Sequence, residues 1–132
     1  MAGDSGREPA SAPYPTPVGQ GPLWHVTVTV SGIGVPEPEI RAGLERLGHE
    51  HPFLLAGRYA VDRAEVRYWE EAPDAASVTG LALRLWEEHR ISAGLPDWQV
   101  VGVEVVDRAT FHRRVVGGHR MAPVAVVGVT PF

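Results

Sequence analysis

Apolar and polar residues alternate along four stretches of the chain. From Trp24 to Ser31 every even position is apolar and every odd position is polar. This period of two, with β-branched residues throughout, predicts a strand with one buried face. Phe53 to Val61 and Ala64 to Glu70 predict two further strands joined by a turn at Asp62-Arg63, and Trp98 to Val106 predicts a fourth.

Two other segments repeat apolar residues at helical spacing. Residues 36–47 predict a first helix, and residues 73–93 predict a longer second helix that ends at Gly94 and Pro96. Each helix has one apolar stripe, which should pack against the sheet. The stripes consist of Ile40, Leu44 and Leu47 in the first helix, and of Val78, Leu81, Ala82, Leu85 and His89 in the second.

The two ends of the chain differ from this central pattern. Residues 1–22 are rich in proline, glycine and alanine, so we expect a disordered arm. Residues 23–112 form the predicted domain. Residues 113–132 form a tail in which arginines flank an apolar run. Because such a run is unfavourable in water, we expect it to add a strand, cover the sheet or pair with another chain.

The strand–helix–strand–strand–helix–strand order resembles the ferredoxin-like superfamily. The features behind this resemblance are the alternation of Val26–Val30, the Asp62-Arg63 hairpin and the Gly94-x-Pro96 stop. The resemblance implies an α+β fold whose antiparallel sheet has the strand order 4-1-3-2, with both helices on one face. Since this fold hosts many unrelated functions, the resemblance does not imply an activity.

Composition narrows the possible functions. The chain has no cysteine, lysine or asparagine, which removes thiolate metal sites and Schiff-base chemistry. A net charge of -4 argues against nucleic acid as a partner, and so does the third strand, which departs from the RNA-recognition pattern because only Trp69 would point outward, among acids. No apolar run is long enough for a membrane span, and no secretory signal begins the chain, so we expect a cytoplasmic protein. No motif indicates a cofactor or catalytic residues.

The candidate site lies on the sheet face that the two helices leave bare. With the turn at Asp62-Arg63, the expected register places Arg58 directly opposite Arg67, with Glu65 close enough to act as a counterion. In the fourth strand, Val101, Val103 and Val105 are expected to face the helices, and Trp98 the open side. The predicted ligand-binding or interface residues are His25, Arg58, Glu65, Arg67, Trp69 and Trp98.

This face permits three interpretations. Its charges could form exposed ion pairs in solvent, its tryptophans and arginines could form a subunit interface, or its arginines could bind an anionic small molecule. We expect a small non-enzymatic interaction module that forms a homodimer through the open face and the tail. The alternative is a dimeric α+β-barrel enzyme or a protein that binds a small anion, in which His25 would be the proton-transfer group.

A histidine-based metal binder is the third possibility. His49 and His51 are two residues apart and would point the same way in an extended segment. They follow the first helix, however, and a histidine near the negative C-terminal end of a helix is electrostatically favourable without a metal. No third ligand is evident, so the sequence predicts no metal site.

Overall fold

The elements of the structure, a computed structural model, follow the predicted order and add two elements at the C-terminal end. The structure describes residues 21–116 and 128–132. Most of the predicted arm and part of the predicted tail therefore lie outside the described residues. The elements are β1 (Leu23–Ser31), α1 (Glu37–Glu50), β2 (Leu54–Ala60), β3 (Arg63–Glu71), α2 (Ala75–Ala93), β4 (Gln99–Asp107), α3 (Arg108–Val116) and β5 (Gly128–Pro131).

The strands form one sheet in the order β4-β1-β3-β2-β5. The first four strands pair antiparallel, and β5 pairs parallel with β2. This confirms the α+β fold with the ferredoxin-like order 4-1-3-2, and it confirms an extra C-terminal strand. None of the described helices is long and apolar enough to cross a membrane.

Helices α1 and α2 cover one face of the sheet, and the core lies between them and β1. Val26, Val28 and Val30 of β1 are at most 1% exposed, as their even positions predict. Their neighbours are the apolar stripes of the two helices, which include Ile40, Leu44, Val78 and Leu85. Asp74 caps the start of α2, where its carboxylate accepts a hydrogen bond from the Ser77 amide, and Gly94, with φ of 72°, caps its end.

The β2–β3 hairpin differs from the predicted register by two residues. Its turn is Val61-Asp62, and Arg58 pairs with Glu65 instead of Arg67. This register places opposite charges across from each other and separates the two arginines. It also lets the carbonyls of Val61 and Asp62 accept hydrogen bonds from the β1–α1 loop. Because the shift is an even number of residues, Arg58 and Glu65 keep their predicted face, whereas Val61 moves into the turn and is 48% exposed.

Strand β4 contains an irregularity that the alternation does not reveal. Thr29 pairs with Gly102 but Val30 pairs with Val100, so Val101 is an extra residue. Val101 is consequently 62% exposed, and the expectation that it faces the helices is wrong. Val103 and Val105 do pack against the core, as predicted.

Trp98 lies on the helix side of the sheet and not on the open face, which corrects its predicted position. It is 4% exposed and stacks on Trp86 of α2 with an angle of 2° between the rings. Its indole N–H donates a hydrogen bond of 2.8 Å to the Ile33 carbonyl. A buried indole requires such a partner, and the β1–α1 loop supplies it on this side.

Helix α3 was not expected, and it spans the predicted boundary between domain and tail. Asp107 caps it by accepting a hydrogen bond from the Thr110 amide at 2.7 Å. One turn later, Phe111 contacts His25 and Trp69, which point away from α1 and α2. Helix α3 therefore covers one end of the sheet face that the sequence predicts to be bare.

Candidate functional site

A cleft lies beside α3 on the open face of the sheet. It has a volume of about 200 Å³. Four of the six predicted site residues line it, namely His25, Arg58, Glu65 and Arg67. We call it the arginine cleft; its complete lining is His25, Thr27, Arg58, Glu65, Arg67, Glu104, Phe111 and Arg114.

The strand register explains why these side chains meet. Thr27 of β1 pairs with Arg67 of β3 and with Glu104 of β4, so the three residues lie in one row across the sheet. Arg58 of β2 pairs with Glu65, in the neighbouring row of the same face. Paired residues on one face have Cβ atoms about 5 Å apart, which brings these charged groups within reach of one another.

Two of the three arginines have a carboxylate partner. Arg58 lies 3.8 Å from Glu65, and Arg114 lies 3.4 Å from Glu104. Arg67 forms no ion pair with any residue in the described part of the chain. Its neighbours across the two adjacent strands are Thr27 and Ala56, neither of which bears a charge. Among the three arginines of the lining, Arg67 is therefore the one without a carboxylate partner in the described residues.

His25 forms the buried end of the cleft. It is 6% exposed, stacked on Phe111 at 4.3 Å and in edge contact with Trp69 at 5.3 Å between ring centroids. Its Nε2 atom has no hydrogen-bond partner among residues 21–116 and 128–132. Burial, reinforced by the positive charges of Arg67 and Arg114, lowers the pKa of His25 to about 4. The imidazole is therefore neutral at neutral pH.

The two predicted tryptophans have other positions. Trp69 is on the open face as expected, but it is 2% exposed and lies beneath Phe111, where it supports His25. Trp98 lies in the core on the opposite side of the sheet. Neither side chain lines the cleft.

Sequence reasoning missed Phe111 and Arg114, the two residues that α3 contributes. A signal was present in the chain. Asp107 and Thr110 have the spacing of a helix cap, and Phe111 and Arg114 are three residues apart, which places them on one helix face. The segment is short and polar, so its apolar pattern is too weak to indicate a helix by itself.

The two histidines considered for metal binding do not meet. The Nδ1 atom of His49 donates to the Glu45 carbonyl within α1. His51 instead lies against Tyr68, with ring centroids 4.8 Å apart, and 6.3 Å from His89. Within the described ranges no group of three or more histidine, cysteine, aspartate or glutamate side chains is arranged to hold a metal ion.

A larger cavity of about 650 Å³ opens at the end of the sheet, beside the start of β2. Among its lining residues are His51, Phe53 and Glu70. Burial and the negative charges of Glu88 and Glu71 raise the pKa of Glu70, and burial lowers the pKa of His51. The residues before Gly21, which also lines this cavity, lie outside the described part of the chain.

The sequence matches a family model described as Domain of unknown function (DUF8830) over residues 23–122. The chain belongs to this family. No curated protein matches it. The matched range of the DUF8830 domain begins with β1 and includes all residues that line the arginine cleft, whereas β5 lies beyond it.

Proposed function

We propose that this DUF8830 domain binds a small anionic ligand in the arginine cleft. The observation that supports this function best is Arg67, a half-buried cation without an ionic partner among the described residues. A charge removed from water without a partner is unfavourable. An anion bound in the cleft would offset that cost and would form charge-assisted hydrogen bonds with the guanidinium group.

The surroundings of Arg67 support binding of a ligand over a solvated salt-bridge surface. Phe111 of α3 forms one wall of the cleft, and the side chain of Arg67 is half-buried. Ion pairs gain strength where water is partly excluded, whereas fully exposed pairs contribute little. The glutamates of the lining are already engaged in the pairs Arg58–Glu65 and Arg114–Glu104, which leaves the charge of Arg67 for a ligand.

The test is a titration of the full chain with simple anions. Acetate, benzoate and phosphate are added in turn in a buffer of weakly binding anions, and binding is followed by calorimetry and by NMR shifts of Thr27, Arg67 and Phe111. We expect at least one anion to bind with shifts centred on these residues. We expect Arg67→Gln to weaken that binding by tenfold or more.

Arg63→Gln provides the matched control. Arg63 is on the same strand and loses the same charge, but it is exposed and lies outside the cleft. It should leave the affinity within about twofold of the original value. Absence of binding for every anion, or equal weakening by both substitutions, would contradict the proposed function.

Self-association is a second candidate function, and the edge of β4 favours it. This nine-residue strand pairs on one side only within the described sheet, and Val101 on it is 62% exposed. Such an edge can pair with a second copy of the chain.

Size-exclusion chromatography tests this candidate. A homodimer should elute near twice 14.3 kDa. Val101→Glu should shift it to the monomer, whereas Ile91→Glu, at an exposed site on α2, should not; a monomeric wild type would overturn the candidate.

A further inference from the structure

The charge balance of the arginine cleft restricts the ligand that it can hold. Its lining includes three arginines and two glutamates, and two of the arginines are paired with those glutamates. His25 adds no charge at neutral pH. The net charge of the lining is therefore +1, so a ligand with a single negative charge makes the occupied site electrically neutral. A second negative charge would face Glu65 and Glu104 without a free cation.

The shape of the Arg67 side chain also restricts which anionic group the ligand can carry. The planar guanidinium of arginine matches the two oxygens of a carboxylate in a bidentate arrangement. Thr27, directly across from Arg67 in the neighbouring strand, adds a hydroxyl that can donate one further hydrogen bond. One guanidinium group beside one hydroxyl group is typical of a site that binds one carboxylate group.

Phe111 is the apolar side chain of the lining, whose other residues are polar or charged. Phe111 lines the cleft, and behind it His25 and Trp69 complete an aromatic cluster. A volume of about 200 Å³ equals that of about seven water molecules, which is enough for a small organic anion. An aromatic or branched aliphatic body would pack on the ring of Phe111.

We infer that the ligand of the arginine cleft is a small monocarboxylate with an aromatic or branched aliphatic body. This inference rests on the proposed anion-binding function and specifies its ligand class. The carboxylate binds Arg67 beside Thr27, and the apolar body lies against Phe111. The pairs formed by Glu65 and Glu104 reject divalent anions.

The first experiment compares probes of different charge: benzoate and benzamide have nearly the same shape, whereas phosphate and sulfate are compact anions. All four are titrated into the wild-type chain at about pH 8.5, where phosphate and sulfate both carry two negative charges. We expect benzoate to bind at least tenfold more tightly than each of the other three. One result would overturn the inference but leave the proposed anion binding in place. In that result phosphate or sulfate binds as tightly as benzoate, and Arg67→Gln abolishes this binding. No binding by any anion would overturn the proposed function itself.

One variant and its control test whether charge causes the preference for benzoate over phosphate. Glu104→Gln removes one carboxylate and raises the net charge of the lining by one, so we expect the affinity for phosphate relative to benzoate to rise tenfold or more. Asp97→Asn, an exposed carboxylate outside the cleft, provides the control with the same charge change. An unchanged ratio in Glu104→Gln would contradict selection by charge.

The ratio of benzoate affinity to acetate affinity tests whether the ligand body packs against Phe111. Phe111→Leu keeps an apolar contact beneath α3 but removes the flat ring, and we expect it to lower this ratio threefold or more. Val116→Ala, on an exposed part of the same helix, should not change it. If Phe111→Leu leaves the ratio unchanged while Arg67→Gln abolishes binding, the ligand does not lie against Phe111 and that part of the inference is wrong.

Discussion

His25 and Phe111 stack with their ring centroids 4.3 Å apart and an angle of 27° between the ring planes. His25 is the third residue of β1 and Phe111 belongs to α3, so the contact joins two distant parts of the chain. It holds α3 on the open face of the sheet and, at the same time, buries the imidazole. The wall and the buried end of the arginine cleft thus depend on the same pair of rings.

Replacing Phe111 by alanine should release α3 from the sheet. The substitution removes the contacts of the ring with His25 and Trp69, and we expect it to lower the free energy of unfolding by about 1–3 kcal/mol. Trp69 should become accessible, which a red shift of the fluorescence and a new indole N–H position in the NMR spectrum would report. Val116→Ala on the same helix should change neither measurement; equal effects of both variants would contradict this role of Phe111.

His25 should make the fold sensitive to mild acid. Its pKa is about 4 in the folded protein and 6.5 in the unfolded chain, so the unfolded chain binds the proton more readily between these values. The free energy of unfolding should therefore be greatest above pH 6.5 and fall as the pH decreases toward 4. The His25 contribution to this loss is about 3 kcal/mol at most.

The variant His25→Leu isolates that contribution from those of the carboxylates. We expect urea unfolding of wild type and variant to show a difference that changes between pH 7 and pH 4, because only the wild type loses the histidine contribution. A constant difference between the two proteins across this range would show that His25 titrates normally.

Glu50 should titrate below its usual range because it joins the two main helices. At the end of α1 its carboxylate accepts hydrogen bonds from His89 at 2.7 Å and from the Ser92 hydroxyl at 2.8 Å, and these bonds lower its pKa. Their stabilising effect is present above the unfolded pKa of 4.5 and is lost as the pH falls through the lower folded value.

Ser92→Ala removes one of these donors. We expect the pKa of Glu50, measured by NMR titration of its side-chain carboxyl carbon, to move upward toward its ordinary value. Thr79→Ala removes a hydroxyl of the same helix that donates to a backbone carbonyl, and it should not move the Glu50 titration. An unshifted Glu50 in Ser92→Ala would mean that the hydroxyl bond does not affect the carboxylate.

Two glycines should respond oppositely to alanine. A Cβ atom at Gly32 would lie 2.4 Å from Cδ1 of the Trp98 indole, so Gly32→Ala must displace that buried ring. We expect a loss of about 1–3 kcal/mol in the free energy of unfolding.

Gly80 lies inside α2, and a Cβ atom added there would have no heavy atom within 4 Å. Gly80→Ala should therefore stabilise the helix by about 0.5–1 kcal/mol. Chemical denaturation distinguishes the two, and a stable Gly32→Ala would contradict tight packing of Trp98.

Much of the candidate site follows from the alternation of residues alone. A period of two assigns His25, Glu65 and Arg67 to one face of the sheet, and Arg58 stays on that face because the true hairpin register differs from the predicted one by an even number of residues. The apolar stripes of α1 and α2 likewise determine which face they cover. These features depend on local periodicity, which the sequence shows directly.

Three features were decided only by the tertiary structure. The Val61-Asp62 turn depends on hydrogen bonds to the β1–α1 loop, the position of Trp98 depends on the extra residue in β4, and the position of α3 depends on Phe111 reaching His25 and Trp69. Each involves partners distant in the chain, and none repeats at a regular spacing. Local periodicity determines which way a side chain points, but the partner that it meets is set by long-range packing and hydrogen bonding.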